Sequence, residues 1–123
     1  MNAVMNPNYA GTIFEQRFLD EVKAQGLYAQ KMPARDGFDF LIGSRPMVVE
    51  LKYVNGNRLK LKWFTPIEII TAESMTRGDV DYNVVFPLYG TFGVVTWGEI
   101  KGKLFSGGIT LDSPFHRRFF KEV

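Results

Sequence analysis

Cysteine is absent from the 123 residues, so neither a disulfide framework nor a thiolate metal site can form, and a lone histidine, His116, rules out histidine-rich zinc chemistry. Any metal must therefore be held by oxygen. No apolar run reaches the length of a membrane span, and the N-terminus lacks a basic segment followed by an apolar signal core. A cytoplasmic protein that touches no membrane is expected. Charge of one sign is also scarce, since the formal net charge of +2 is too small to indicate a nucleic-acid partner by itself. Internal repeats, low-complexity segments and linkers are missing too. What is present is 46% hydrophobic and 15% aromatic content, enough for one folded domain over residues 1–123.

The chemistry concentrates between Gly37 and Lys52. Residues 38–42 and 47–51 are aromatic and β-branched runs around Gly43, Ser44, Arg45 and Pro46, the pattern of an antiparallel hairpin. Pairing Ile42 with Met47 sets Leu41 opposite Val48, Phe40 opposite Val49, Asp39 opposite Glu50 and Phe38 opposite Leu51. Alternation then gives one apolar face of Phe38, Phe40, Ile42, Met47, Val49 and Leu51. On the other, Asp39, Glu50 and Lys52 stand beside Leu41 and Val48. Directly opposed like charges are destabilising, and Mg²⁺, which takes carboxylate oxygens and keeps waters for phosphates, would offset the repulsion. A metal that activates water and an ammonium that steadies developing charge together suit phosphodiester cleavage. The competing reading is a hairpin face whose charges are merely solvated, although Leu41 and Val48 make that face half apolar.

Residues 1–10 read as a loose arm. Thr12 and Glu15 have capping-box spacing for a helix reaching Gln25, with Gly26 as its stop. Glu15 also falls within the apolar arc of Phe14, Phe18, Leu19 and Val22, so it caps the helix, faces a site, or does both. A strand over 27–32 and a turn over 33–37 lead into the hairpin, with Asp36 a second candidate for the acidic position. Asn55 and Gly56 signal a type I′ turn. Beyond it Arg58, Lys60 and Lys62 alternate ahead of Trp63, a basic stripe on an extended segment that suits a nucleic-acid backbone or a solvated face. Thr65, Pro66 and Glu68 open a second helix ending near Gly78; Glu68 and Glu73 could join a site, but read first as capping and surface residues. Strands over 82–88 and 92–96, a short helix over 97–104 and a basic amphipathic helix over 112–121 complete the chain. That last helix suits docking, dimerisation or DNA contact, and its Phe115, Phe119 and Phe120, like the strands from Val84 to Val95, offer apolar residues for self-association or for the core.

In this order of helix, three strands, helix and strand, with Glu15, Asp39 and Glu50-Leu51-Lys52 in their places, the chain resembles the PD-(D/E)xK nuclease superfamily. Within it, the chain is most similar to Holliday junction resolvases of the RecU and archaeal Hjc types. Gly11 to Glu15 is similar to their Gly-x-x-φ-Glu helix start, where φ is apolar. Phe38-Asp39-Phe40 is similar to their acidic strand, Val49 to Lys52 to their E-x-K strand, and Lys31-Met32-Pro33 to the lysine-proline stretch of RecU. The resemblance spans residues 11–75. It implies an α/β fold with a restriction-endonuclease-like αβββαβ core, a mixed central sheet flanked by helices. It also implies a homodimeric, metal-dependent endodeoxyribonuclease resolving branched DNA such as four-way junctions. Asp39, Glu50 and Glu15 would bind Mg²⁺, with Mn²⁺ able to substitute, and Lys52 would orient the nucleophile or stabilise the transition state. Lys31, Arg35, Arg58, Lys60 and Lys62 would meet the DNA. Two departures stand out: the connection between the first two strands is too short for the RecU stalk, and the second helix lacks RecU's glutamine. The alternatives are a nuclease of the same superfamily acting on ends, flaps or duplex, and a non-catalytic DNA-binding module of the same fold.

Overall fold

The first helix begins at a proline, a residue suited to that position because the N–H it lacks would have no helical partner there. In the computed structural model, which describes residues 7–54, 58–88, 90–110 and 117–119, α1 runs Pro7–Ala24. The expected loose arm thus gives way to helix from Pro7 onward, and Thr12 and Glu15 lie inside the helix rather than at its cap. Gly26, at φ 72°, ends it as expected, with the Leu27 N–H turning back to the Val22 carbonyl at 3.0 Å.

Three strands follow, β1 (Ala29–Lys31), β2 (Phe40–Ile42) and β3 (Met47–Leu51), then a two-residue β4 (Arg58–Leu59) and α2 (Pro66–Arg77). Next come β5 (Tyr82–Leu88), β6 (Thr91–Thr96), α3 (Trp97–Phe105), β7 (Ile109–Thr110) and β8 (Arg117–Arg118). The main sheet is ordered β1-β2-β3-β5-β6, and β8 adds a short sixth strand on β6. Its pairs are antiparallel except β3 with β5, which are parallel and joined through α2, since parallel neighbours need a crossover connection. β4 and β7 form a separate small ribbon.

Each face of the sheet carries its own core. Phe14, Phe18 and Val22 of α1, spaced i, i+4, i+8, pack on Phe40, Ile42, Val49, Val85 and Phe92. On the opposite face, α2, α3 and the β4–β7 ribbon cover Val48, Tyr82, Val84, Phe86 and Val95, with Trp97 fully buried among them. Val84 and Val85 are both at 0% exposure, as expected of a strand covered on both sides. The strand residues expected to be available for self-association are therefore spent on this core, and Phe119 packs on Phe18 at 5.4 Å within the chain. Trp97 donates its Nε1–H to Glu73 at 3.0 Å. Trp97→Phe should cost about 1–2 kcal/mol through that lost bond and the reduced volume, read by urea unfolding.

Two other local expectations are corrected. Arg58, Lys60 and Lys62 do not share one extended run, because β4 stops at Leu59 and residues 61–63 close into a 3-10 turn. Arg117 and Arg118 are strand rather than helix, paired with Val94 and Gly93. The Asn55-Gly56 turn and the rest of the expected C-terminal helix lie outside the described residues. Among those described, no helix is long and apolar enough to cross a membrane.

Candidate active site

The expected hairpin register holds for three pairs, with Phe40 opposite Val49, Leu41 opposite Val48 and Ile42 opposite Met47. It breaks at Asp39. The Asp39 N–H donates to the Val49 carbonyl at 3.0 Å, one residue out of step with that pairing, while its own carbonyl accepts the Met32 N–H at 2.8 Å. The ladder acceptor thereby lost to Leu51 is replaced by the Asp39 side chain, whose Oδ2 accepts the Leu51 N–H at 2.8 Å. The break also turns Phe38 over. It lies in the core cluster with Val48 and Tyr82, not beside Phe40 as unbroken alternation required.

What fixes Asp39 is the turn before it. Residues 34–36 form a single 3-10 turn, and Gly37 follows at φ 79°, in the left-handed region open to glycine. Its carbonyl accepts the hydroxyl of buried Tyr82 at 2.6 Å. Burial, followed by the nearby carboxylates, holds the Tyr82 phenol far above its ordinary range, so it stays a donor. Asp36 remains in the turn.

Glu50 projects from β3 onto the same face at 2% exposure. Its Oε2 meets Lys52 Nζ at 2.9 Å, and its Oε1 is buried with no hydrogen-bond partner. Burial pushes the carboxyl up to about 9, opposed by Lys52 and reinforced by Asp39 and Glu68. Asp39 is raised as well, chiefly by burial, against the Leu51 N–H and the charge of Lys52.

Lys52 lies between two carboxylates. Its Nζ is 2.8 Å from Glu68 Oε1 and stands 4.7 Å from the centre of the Phe64 ring. Burial alone would lower the ammonium, but Glu50 and Glu68 outweigh it and hold it above its usual value. Glu68 sits at the third position of α2, where the capping box read from the sequence is formed: its side chain accepts the Thr65 N–H at 2.9 Å, and Thr65 Oγ1 accepts the Glu68 N–H at 3.3 Å. Burial raises Glu68, yet the Lys52 and Thr65 hydrogen bonds prevail and leave it lowered.

No protein-family model matches the chain, and neither does any curated protein.

The geometry thus brings Asp39, Glu50 and Lys52 together and adds Glu68. Three carboxylates face one ammonium, so the cluster carries more acid than its own base can balance. Glu15 belongs to α1, which packs on the other face of the sheet, and its Oε2 pairs with Lys31 Nζ at 3.5 Å. Arg35 is exposed on the 34–36 turn, as are Arg58 and Lys62 on their own segments, while Lys60 is half-buried. Among the described residues, no three acidic, histidine or cysteine side chains are arranged as a metal-ligand set. Mg²⁺ does not require one, because it commonly takes one or two carboxylates and keeps its waters. Asp39 and Glu50 fit that demand, with the unpartnered Glu50 oxygen as the free donor. The sequence signal for Glu68 was its capping position. Its second role depends on α2 docking within reach of Lys52, which local spacing does not encode.

Proposed function

We propose that the protein is a metal-dependent endonuclease that cuts branched DNA, resolving four-way junctions by paired phosphodiester hydrolysis, on a restriction-endonuclease-like core. The observation that carries this reading is the buried, unpartnered Glu50 oxygen beside Asp39, with the Lys52 ammonium against the same carboxylate. A protein seldom buries such a group without a partner for it. The element order α1, β1 to β3, α2, β5 and the resemblance of residues 11–75 to the resolvases support the same reading.

Asp39 and Glu50 would hold Mg²⁺, which would supply charge neutralisation on the scissile phosphate and acidify a bound water. Lys52 contributes a fixed positive charge for the pentacovalent phosphate. Tyr82 holds the turn that aims Asp39, and the Leu51 N–H orients its carboxylate. Arg58, Lys60 and Lys62 meet DNA as separate phosphate contacts rather than as one stripe. Replacing all three by alanine should weaken binding and flatten its salt dependence without altering base preference, as phosphate contacts do. An unchanged slope in fluorescence-anisotropy titrations would remove these residues from the interface.

Two symmetric incisions require two sites, and one chain offers one candidate site, so the resolvase acts as a homodimer about a two-fold axis. Sedimentation at micromolar concentration, paired with nick mapping on a labelled four-way junction, tests this. A dimer placing matched nicks on opposing strands is expected. A stable monomer that still cuts would leave a nuclease acting on ends, flaps or duplex, and DNA binding without any cleavage would leave a binding module.

A further inference from the structure

Lys52 is held by two carboxylates that differ in how they are fixed. Glu50 is buried, adjoins Asp39 and keeps one oxygen unpartnered, whereas the Glu68 oxygen that meets Lys52 also accepts the Thr65 N–H, so the N-terminus of α2 locks it in place. We propose that Glu68 is a positioning residue that retains the Lys52 ammonium when a divalent cation takes the Glu50 carboxylate. The inference rests on the reading of Asp39 and Glu50 as cation ligands. A metal on the free Glu50 oxygen shares with the ammonium the charge of one carboxylate, and once the metal is seated the two cations repel each other. A second, fixed anion on Lys52 answers both problems. It lowers the cost of releasing Glu50, and it keeps the ammonium beside the site instead of letting it swing into solvent. With a neutral residue at 68, Glu50 would be the only ion-pair partner of Lys52 among the described residues, and the seated metal would repel an ammonium held by nothing else charged.

Glu68→Gln isolates the charge, because the amide oxygen can still accept the Thr65 N–H and keep the cap. It is expected to weaken Mn²⁺ binding about tenfold, the equivalent of roughly 1.4 kcal/mol. A nearby carboxylate also attracts Mn²⁺ directly, so the deciding measurement is a double-mutant cycle. In a Lys52→Met background, the same Glu68→Gln change should shift the Mn²⁺ Kd by less than about twofold. Thr65→Ala, which removes the Oγ1 half of the cap and leaves both the charge and the Thr65 N–H bond to Glu68, should lower thermal stability and leave the Kd unchanged. Free Mn²⁺ is counted by electron paramagnetic resonance, with Glu50→Gln assigning the site. A tenfold loss that persists without Lys52 would overturn the proposal, since Glu68 would then act by its field alone. An unchanged Kd in Glu68→Gln, or a Kd shifted equally by Thr65→Ala, would overturn it while leaving the metal site standing. Mn²⁺ uptake that Glu50→Gln does not reduce would overturn this inference and the metal reading together.

Discussion

Glu50→Gln and Asp39→Asn are each expected to abolish Mg²⁺-dependent cleavage, by a factor of roughly a thousand or more, while leaving the fold intact. Each removes a cation ligand and keeps the shape of the side chain. The Glu50 variant should also be the more stable protein once metal is chelated. In the fold, the Glu50 carboxyl holds its proton up to about 9 against an ordinary value of 4.5. Between those values the native state keeps a proton that the unfolded chain has released, so wild-type stability falls as pH rises through that window. Glutamine does not titrate and escapes this loss. In EDTA at pH 8, Glu50→Gln should therefore be more stable than the wild type by roughly 1–3 kcal/mol, and the gap should narrow towards pH 4.5. A variant less stable than the wild type at pH 8 would mean that the Lys52 pair outweighs the burial of Glu50. Cleavage near the wild-type rate by either variant would remove these residues from the site.

The second large effect is expected at Gly37. Its backbone is left-handed, and a Cβ there would lie 2.7 Å from Thr71 Cβ and 2.8 Å from the Ile67 carbonyl oxygen. Both neighbours belong to α2, and one is backbone, so relief requires moving the helix away from the sheet. Gly37→Ala should cost roughly 3–5 kcal/mol in urea unfolding, combining the disfavoured φ with overpacking. The variant should lose cleavage as well, because the same turn aims Asp39 and the same helix carries Glu68. Gly11→Ala is the matched control. Gly11 lies within α1 with nothing within 4 Å of the Cβ position, so alanine there should be neutral or stabilising by about 0.5–1 kcal/mol. A loss under about 1 kcal/mol at Gly37 would show that α2 adjusts freely and is no rigid support for the site.

Local chemistry made part of this architecture legible. The register of Phe40, Leu41 and Ile42 against the following strand follows from strict alternation around a turn, and the start of α2 follows from Thr65, Pro66 and Glu68 acting at fixed offsets. Both signals are short-range and leave little freedom. Where tertiary contacts decide, the sequence is less informative. The capping-box spacing of Thr12 and Glu15 pointed to a later start than Pro7, where the helix begins. A helical wheel places Glu15 near the apolar arc but cannot say which face of the sheet the arc will cover, and here it covers the face away from Glu50. Alternation likewise could not foresee that Asp39 would step out of the ladder and carry Phe38 to the other side. The basic residues 58, 60 and 62 alternate like a strand, yet a 3-10 turn places Phe64 in the core and against Lys52. The cluster was thus legible as a pair of carboxylates and a lysine, while Glu68, which could be named only as a lesser candidate beside its capping role, takes its place once α2 is docked.

The most direct test of the account is incubation of the wild-type protein with a labelled four-way junction and a matched linear duplex, in Mg²⁺ and in EDTA. The account predicts junction cleavage in Mg²⁺, little cutting of the duplex, and none of either in EDTA. An intact junction in Mg²⁺, or equal cutting in EDTA, would contradict it.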